Sequence, residues 1–513
     1  MGTSLLDYYK NQIKQEWKTA FFSAATFFLL VHLYKVTNTL PNHDSYYNIY
    51  TDQNMTGSGR WFLQYVCGIS SFFDLDWLIG ILCAVWLGIA SAAVTELFGL
   101  KNPFVIALTG AILAACPSTT ETMFFGYTAD GYLLGLVLAA VSACLTCRSS
   151  KWQHHILGGI LLCLSCAIYQ SCVSFAIMLC ICWLVRELLE ERVDVRSAWK
   201  WVGRHVLIYA ASMGAYYLIW KLILLCTGST ANDYQGINVV GQVGISTLLS
   251  GAVKSVNNLF FFFLEWNILE HPVTLYGILN IVFLLCFAGI VIVAIVRSGI
   301  RRRPGALVLL LLALAASVPM ISVWCFLSEG VHYRPMMMHS AVLYYVLAIV
   351  LFDRWVNVRL STVFGVCMCV MVFNFAVMAN ISYKQMNYCQ QRTYYEGLEM
   401  MEIIDDAQDQ YGDQIEAIAF TGSRAADVAF SAESPSNRNR MLSNLLEESL
   451  LFDHMHLSLY LSHTFGMDME RASEQEIIAL QEHEDVRILE AFPENNCWTV
   501  IDNILVINLE DQR

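Results

Sequence analysis

The sequence predicts an α-helical polytopic membrane protein of about 11 transmembrane helices, with a small α/β domain at its C-terminal end. Two bulk observations point there. Of 513 residues, 57% are hydrophobic and 14% charged, with a mean hydropathy of +0.51. A soluble domain carries about a quarter charged residues and cannot hide this much apolar surface. The net charge of −13 is also split unevenly. Residues 381–513 hold 8 Lys and Arg against 25 Asp and Glu, whereas residues 1–380 hold 22 against 18. Such a break marks a domain boundary, and it divides the chain into 1–380 and 381–513. The acidic tail argues against nucleic acid or anionic lipid as its partner.

About 20 apolar residues span a bilayer, so run length is the guide. Eleven runs are expected as spans: residues 20–36, 77–98, 104–116, 132–147, 156–167, 171–184, 205–225, 272–296, 306–326, 336–352 and 361–380. The first follows a polar stretch and lacks a small-residue cleavage site, so it reads as a retained helix. With the N-terminus placed in the cytoplasm, the cytoplasmic segments hold 17 Lys and Arg. The outer loops before the tail hold only Arg60, Lys254 and Arg334, the asymmetry of the positive-inside rule. An odd number of spans then sets the tail outside.

In the tail, residues 383–411 begin helix-like, "EAIAFTG" and "CWTVIDNILVINL" read as strands, and "SEQEIIALQEHED" reads as a helix opened by a Ser–x–x–Glu capping box. "SAESPSNRN" reads as a loop. Most of the 17 cysteines fall inside apolar runs as small hydrophobes, and "CMC" and "CLSC" lack partners for zinc, so no site of that kind is expected.

Polar chemistry concentrates on the outer face. The first loop, "HDSYYNIYTDQNMTGSGRW", holds His43, Asp44, Asp52 and Arg60; the second, "PSTTETMFFGYTADGY", holds Glu121 and Asp130. Later loops hold Asp233, Tyr234 and Gln235, then Glu329, His332, Tyr333 and Arg334, and a tight turn carries Tyr169 and Gln170. A carboxylate there suits a general base, and an arginine suits bidentate phosphate binding. Plainer roles stand beside these. Tyrosines at a membrane boundary form belts, loop acids are solvated, Glu121 caps a turn, and Arg334, Lys35 and Lys221 snorkel. Asp44 and Asp130 resist that account, because each sits at an expected helix mouth where an acid is costly unless used. Phe260 to Phe263 follow an amphipathic stretch, residues 243–258, that reads as interfacial or packed.

Five short motifs occur in order: Asp44 with "SGRW" (Ser58 to Trp61), "YTADGY" (Tyr127 to Tyr132), "IYQ" (Ile168 to Gln170), "YQG" (Tyr234 to Gly236) and Arg334. In that order the chain resembles the bacterial type-II O-antigen glucosyltransferase family, polytopic membrane enzymes of the GT-C superfamily. The resemblance implies a GT-C-like fold and a multi-pass protein of the bacterial plasma membrane. It also implies inverting transfer of a hexose from a polyprenyl-phosphate donor to a cell-surface glycan or glycolipid. In that scheme Asp44 matches the base, and Arg334, then Arg60 and Lys221, are candidates for the donor phosphate. His43, Asp130, Glu121, Tyr169, Gln170, Tyr234, Gln235, His332 and Tyr333 are candidates for substrate binding. No cofactor is expected, and a divalent metal is left open because Asp44 lacks the neighbouring acid that many GT-C enzymes carry. Two rivals remain at this point: a transporter or flippase with polar groups reaching both faces, and a polymerase or ligase of lipid-linked saccharides.

Overall fold

The structure is a computed structural model that describes residues 13–42, 44–232, 236, 244–264, 274–328, 330–356, 358–423 and 453–510. His43, Asp233, Tyr234, Gln235, Glu329 and the "SAESPSNRN" stretch lie outside the described residues. The chain divides into two compact units. One comprises Met1–Asn38 and Tyr50–Asn380, the other Thr39–Ile49 and Ile381–Arg513.

The first unit is helical. In chain order the helices are α1 (Gln15–Thr37), α2 (Ser45–Asn48, which belongs to the second unit), α3 (Leu63–Phe72), α4 (Asp76–Phe98), α5 (Pro103–Ala115), α6 (Pro117–Phe124), α7 (Gly126–Arg148) and α8 (Trp152–Ile168). Next come α9 (Cys172–Leu189), α10 (Val195–Thr227), α11 (Ile245–Leu264), α12 (Leu275–Arg297), α13 (Pro304–Met320), α14 (His339–Trp355) and α15 (Val358–Tyr411). Among the described residues, 8 helices are long and apolar enough to cross a membrane, or 9 if the bent pair α5–α6 is one span. The difference from eleven has three sources. Helices α8, α13 and α14 are only 17 residues each; α5 and α6 meet at a 40° bend where Pro117 breaks the helix; and α11 qualifies as a span of its own. Phe260 to Phe263 continue α11 rather than following it, and Phe262 and Phe263 are buried.

Small residues set the helix spacing. A Cβ on Gly80 of α4 would stand 2.4 Å from Val36 of α1, and one on Gly110 of α5 would stand 3.0 Å from the backbone of Ala24. Close backbone approach of this kind is how helices associate where lipid removes the hydrophobic incentive. Hydroxyls then bridge neighbours: Ser142 donates to the Gly158 carbonyl and Ser165 to the Gly135 carbonyl, both at 2.7 Å. Helix α14 is buried throughout from His339 to Phe352.

The second unit carries a four-stranded sheet of β1 (Ala417–Thr421), β2 (Glu470–Arg471), β3 (Trp498–Ile501) and β4 (Ile504–Asn508) in the order β2-β1-β4-β3. Strand β1 runs parallel to both neighbours, while β3 and β4 form an antiparallel hairpin pairing Ile501 with Ile504. Asp502 and Asn503 turn it with φ of 47° and 65°, the geometry of a two-residue hairpin with both central residues left-handed. Helices α16 (His454–Phe465), α17 (Glu474–Gln481) and α18 (Glu484–Arg487) complete the unit. The capping box at Ser473 and Glu476 forms as the sequence predicts. Met400, Ile404 and Ala407 of α15 join Phe420, Leu457, Leu461, Leu505 and Ile507 in its core. Tyr46 enters the same core from α2, its ring 5.1 Å from that of Tyr460 in an edge-on contact.

Candidate functional site

The "SGRW" segment is the keystone of the polar assembly in the first unit. Gly59 takes a positive φ of 79° after a short 3-10 turn and returns the chain into α3. Its carbonyls are captured from neighbouring elements. Gln170 donates from Nε2 to the Ser58 carbonyl at 2.7 Å, Tyr216 of α10 donates to the Gly59 carbonyl at 3.0 Å, and Trp220 donates to the Thr56 carbonyl at 2.8 Å. The Phe62 amide donates to Ala167 at 3.0 Å, which pins the segment to the end of α8.

These bonds aim Arg60. Its Nη1 donates to the Tyr132 hydroxyl at 3.0 Å, and the guanidinium carbon sits 5.1 Å from the Tyr169 ring centre and 5.8 Å from that of Tyr132. The two rings stack at 4.3 Å. A cation held by aromatic faces keeps its charge while its position is fixed.

The turn between α8 and α9 joins this segment to the late loop. Trp324 donates from its indole to the Gln170 carbonyl, and the Val323 amide donates to the Ser174 hydroxyl at 3.1 Å. A narrow cleft follows, lined by Ser171, Ser174, Asn258, Trp324, His332, Tyr333 and Arg334. Glu121 closes the far side of the late loop. It is 1% exposed, accepts from the Met336 amide, and lies within electrostatic range of Arg334. The "PSTTETMFFGYTADGY" stretch is therefore not a loop. It forms α6 and the start of α7, and Glu121 anchors the late loop instead of capping a turn.

Asp130 is fully buried in α7. It accepts from the Ser70 hydroxyl of α3 at 2.5 Å and from the Gly131 amide at 2.9 Å, so it holds the helix that follows "SGRW". The lysines divide. Lys35 is 3% exposed and paired with Asp76 at 3.2 Å, so it does not snorkel. Lys221 stands on the exposed side of α10 over the rings of Trp220 and Tyr217, at 4.8 and 5.5 Å. The described contacts thus bring Arg60, Tyr169, Gln170, His332, Tyr333, Arg334 and Glu121 into one network, which Lys221 meets only at its edge, over the Trp220 ring. Tyr216, Trp220 and Trp324 are members that motif reading missed, because an aromatic in an apolar run looks like packing.

Asp44 belongs to the second unit, partly exposed at the N-terminus of α2, where its carbonyl accepts from Asn48 at 2.7 Å. One turn on, the Tyr47 hydroxyl lies 3.4 Å from His456 Nδ1, and that nitrogen lies 2.8 Å from Asp453 Oδ1. Burial, then the negative fields of Asp453 and Asp44, push the Tyr47 phenol up to about 12, so it stays protonated. The hydrogen bond from His456 holds the Asp453 carboxyl below the usual carboxylate range.

The family described as Glucosyl transferase GtrII matches residues 33–352, more than half of the chain and every element of the Arg60–Arg334 network. The chain belongs to this family. No curated protein and no solved structure matches it.

Proposed function

We propose that this member of the glucosyl transferase GtrII family moves a hexose, glucose by its family, from a polyprenyl-phosphate donor to a glycan acceptor on the outer face of the bacterial plasma membrane. The observation that carries the reading is the network around "SGRW". It brings together a guanidinium, a stacked tyrosine pair, buried amide and indole donors and the Arg334 cleft. Stacked aromatics suit sugar faces, and arginines suit a phosphate leaving group.

In the proposed reaction Asp44 takes the proton of an acceptor hydroxyl, whose oxygen attacks C1 of the donor sugar from the face opposite the phosphate. The new C1–O bond forms as the C1–O bond to phosphate breaks, and the electron pair leaves with the lipid phosphate. Charge developing there needs a fixed cation; Arg334 is the first candidate and Arg60 the second. The resemblance assigns the base to Asp44.

The test supplies purified protein with polyprenyl-phosphate glucose and candidate glycans and follows transfer. Asp44→Asn is expected to abolish transfer while leaving the protein monodisperse, and Arg334→Ala to raise the donor concentration needed for half-maximal rate by at least about tenfold, roughly 1.4 kcal/mol. Transfer by Asp44→Asn at the parent rate would remove the base assignment. Donor translocation without glycosylation would replace the enzyme by a flippase.

A further inference from the structure

Away from the Arg60–Arg334 network, three helices bring two thiols and an imidazole together. Cys147 lies in the last turn of α7, Cys180 in the middle of α9 and His205 in the first half of α10. Their Sγ, Sγ and Nε2 atoms all lie within 4.8 Å of one another, with Cys147 Sγ at 3.5 Å from Cys180 Sγ and 3.8 Å from His205 Nε2. All three residues are buried.

The imidazole is oriented for a metal. His205 Nδ1 lies 2.9 Å from the Trp201 carbonyl, which can only accept, so Nδ1 carries the hydrogen and Nε2 presents its lone pair to the thiols. A backbone carbonyl fixing the distal nitrogen is the usual support of a metal-bound histidine. The two spacings from Cys147 suit a tetrahedral ion as well. Bonds of about 2.3 Å to sulfur and about 2.0–2.1 Å to nitrogen place such donors roughly 3.5–3.8 Å apart. Charge favours a dication, because two thiolates, a neutral imidazole and Zn2+ sum to zero, which an apolar surrounding tolerates. An apolar cavity of about 410 Å³, whose lining includes Cys180, His205 and Tyr209, leaves room for a fourth ligand such as water.

We propose that Cys147, Cys180 and His205 form a zinc site that staples α7, α9 and α10. The spacing of 33 and then 25 residues matches no zinc motif, so only the fold reveals it. The step is ligand exchange: each thiol loses a proton to water and each sulfur donates a pair to Zn2+, with no change of oxidation state.

The full chain, purified in detergent without chelator, is assayed for zinc by mass spectrometry. About one zinc per chain is expected, falling at least tenfold in the Cys147→Ser, Cys180→Ser double variant. Because that variant risks misfolding, a second arm strips the parent protein of metal and reloads it with Co2+. The expected signature is thiolate-to-cobalt charge transfer together with the strong visible bands of a tetrahedral site. Zinc below about a tenth per chain together with no cobalt–thiolate band would overturn the proposal. So would recovery of a Cys147–Cys180 disulfide from the unreduced protein.

Discussion

Arg60 shows how a single residue is made useful in this fold. Its guanidinium is flat, stacks near two tyrosine rings and donates to one of their hydroxyls. A lysine at that position keeps the charge but loses the planar stacking and the fork of donors. Arg60→Lys should therefore behave more like Arg60→Ala than like the parent. The lost cation–π and hydrogen bonding is worth about 1–3 kcal/mol, read as a drop in transfer rate with little change in melting temperature. A lysine variant as active as the parent would mean that only charge matters there. At this scale the sequence was partly legible. Asp130 announced itself because an acid at a helix mouth is costly, and Arg60 and Gln170 stood out as polar groups in outer-face segments. Tyr216, Trp220 and Trp324 did not, since their one polar atom is hidden in a residue type that belongs in such runs. Cys147 and Cys180 failed for the same reason, as thiols pass for hydrophobes until a third ligand from a distant helix meets them.

At the scale of the element, the legible features were those decided by local chemistry. The capping box at Ser473 and the tight turn at Tyr169 follow from a few adjacent residues, whereas "CWTVIDNILVINL" reads only as strand and conceals the hairpin turn at Asp502 and Asn503. Span limits were less legible, because composition measures how apolar a run is and not where a proline bends it, as between α5 and α6. Helix α16 offers a test of local chemistry with a defined pH dependence. Asp453 caps it, accepting from the His456 amide at 3.0 Å, and receives the His456 imidazole at 2.8 Å. Its carboxyl is thereby held below the ordinary range. A depressed acid contributes stability that is present above the unfolded value, about 3.9, and lost as pH falls through the lower folded value. Asp453→Ala should cost about 1 kcal/mol at neutral pH, the typical price of a helix cap. Its melting curve should also converge on the parent's as pH drops below about 4. A deficit that stayed constant into acid would show that Asp453 acts through packing rather than charge.

Across the whole molecule, charge and hydropathy separate an apolar helical body from an acidic mixed unit, yet one segment escapes that division. Thr39–Ile49 lies more than 300 residues from Ile381 in sequence and still packs within the second unit. Composition averaged over long windows cannot see eleven residues, and Tyr46 at a helix mouth looks like an interfacial belt residue. In the fold it is 7% exposed, set against Tyr460 in the core with Met400, Phe420 and Leu461. Asp44 stands two residues earlier on the same segment, so the proposed base depends on that core for its position. Tyr46→Ala removes a buried aromatic and should destabilise the second unit by about 3 kcal/mol. Hydrogen exchange should then quicken across residues 44–49 and in α16, while α4, α7 and α14 in the first unit keep their protection. Transfer should fall along with that local loosening, whereas Tyr46→Phe, which keeps the ring and drops only the hydroxyl, should restore both protection and rate. If Tyr46→Ala loosened the segment and left transfer intact, the reaction would not depend on where this core holds Asp44, and the base would have to be sought among the acids of the first unit.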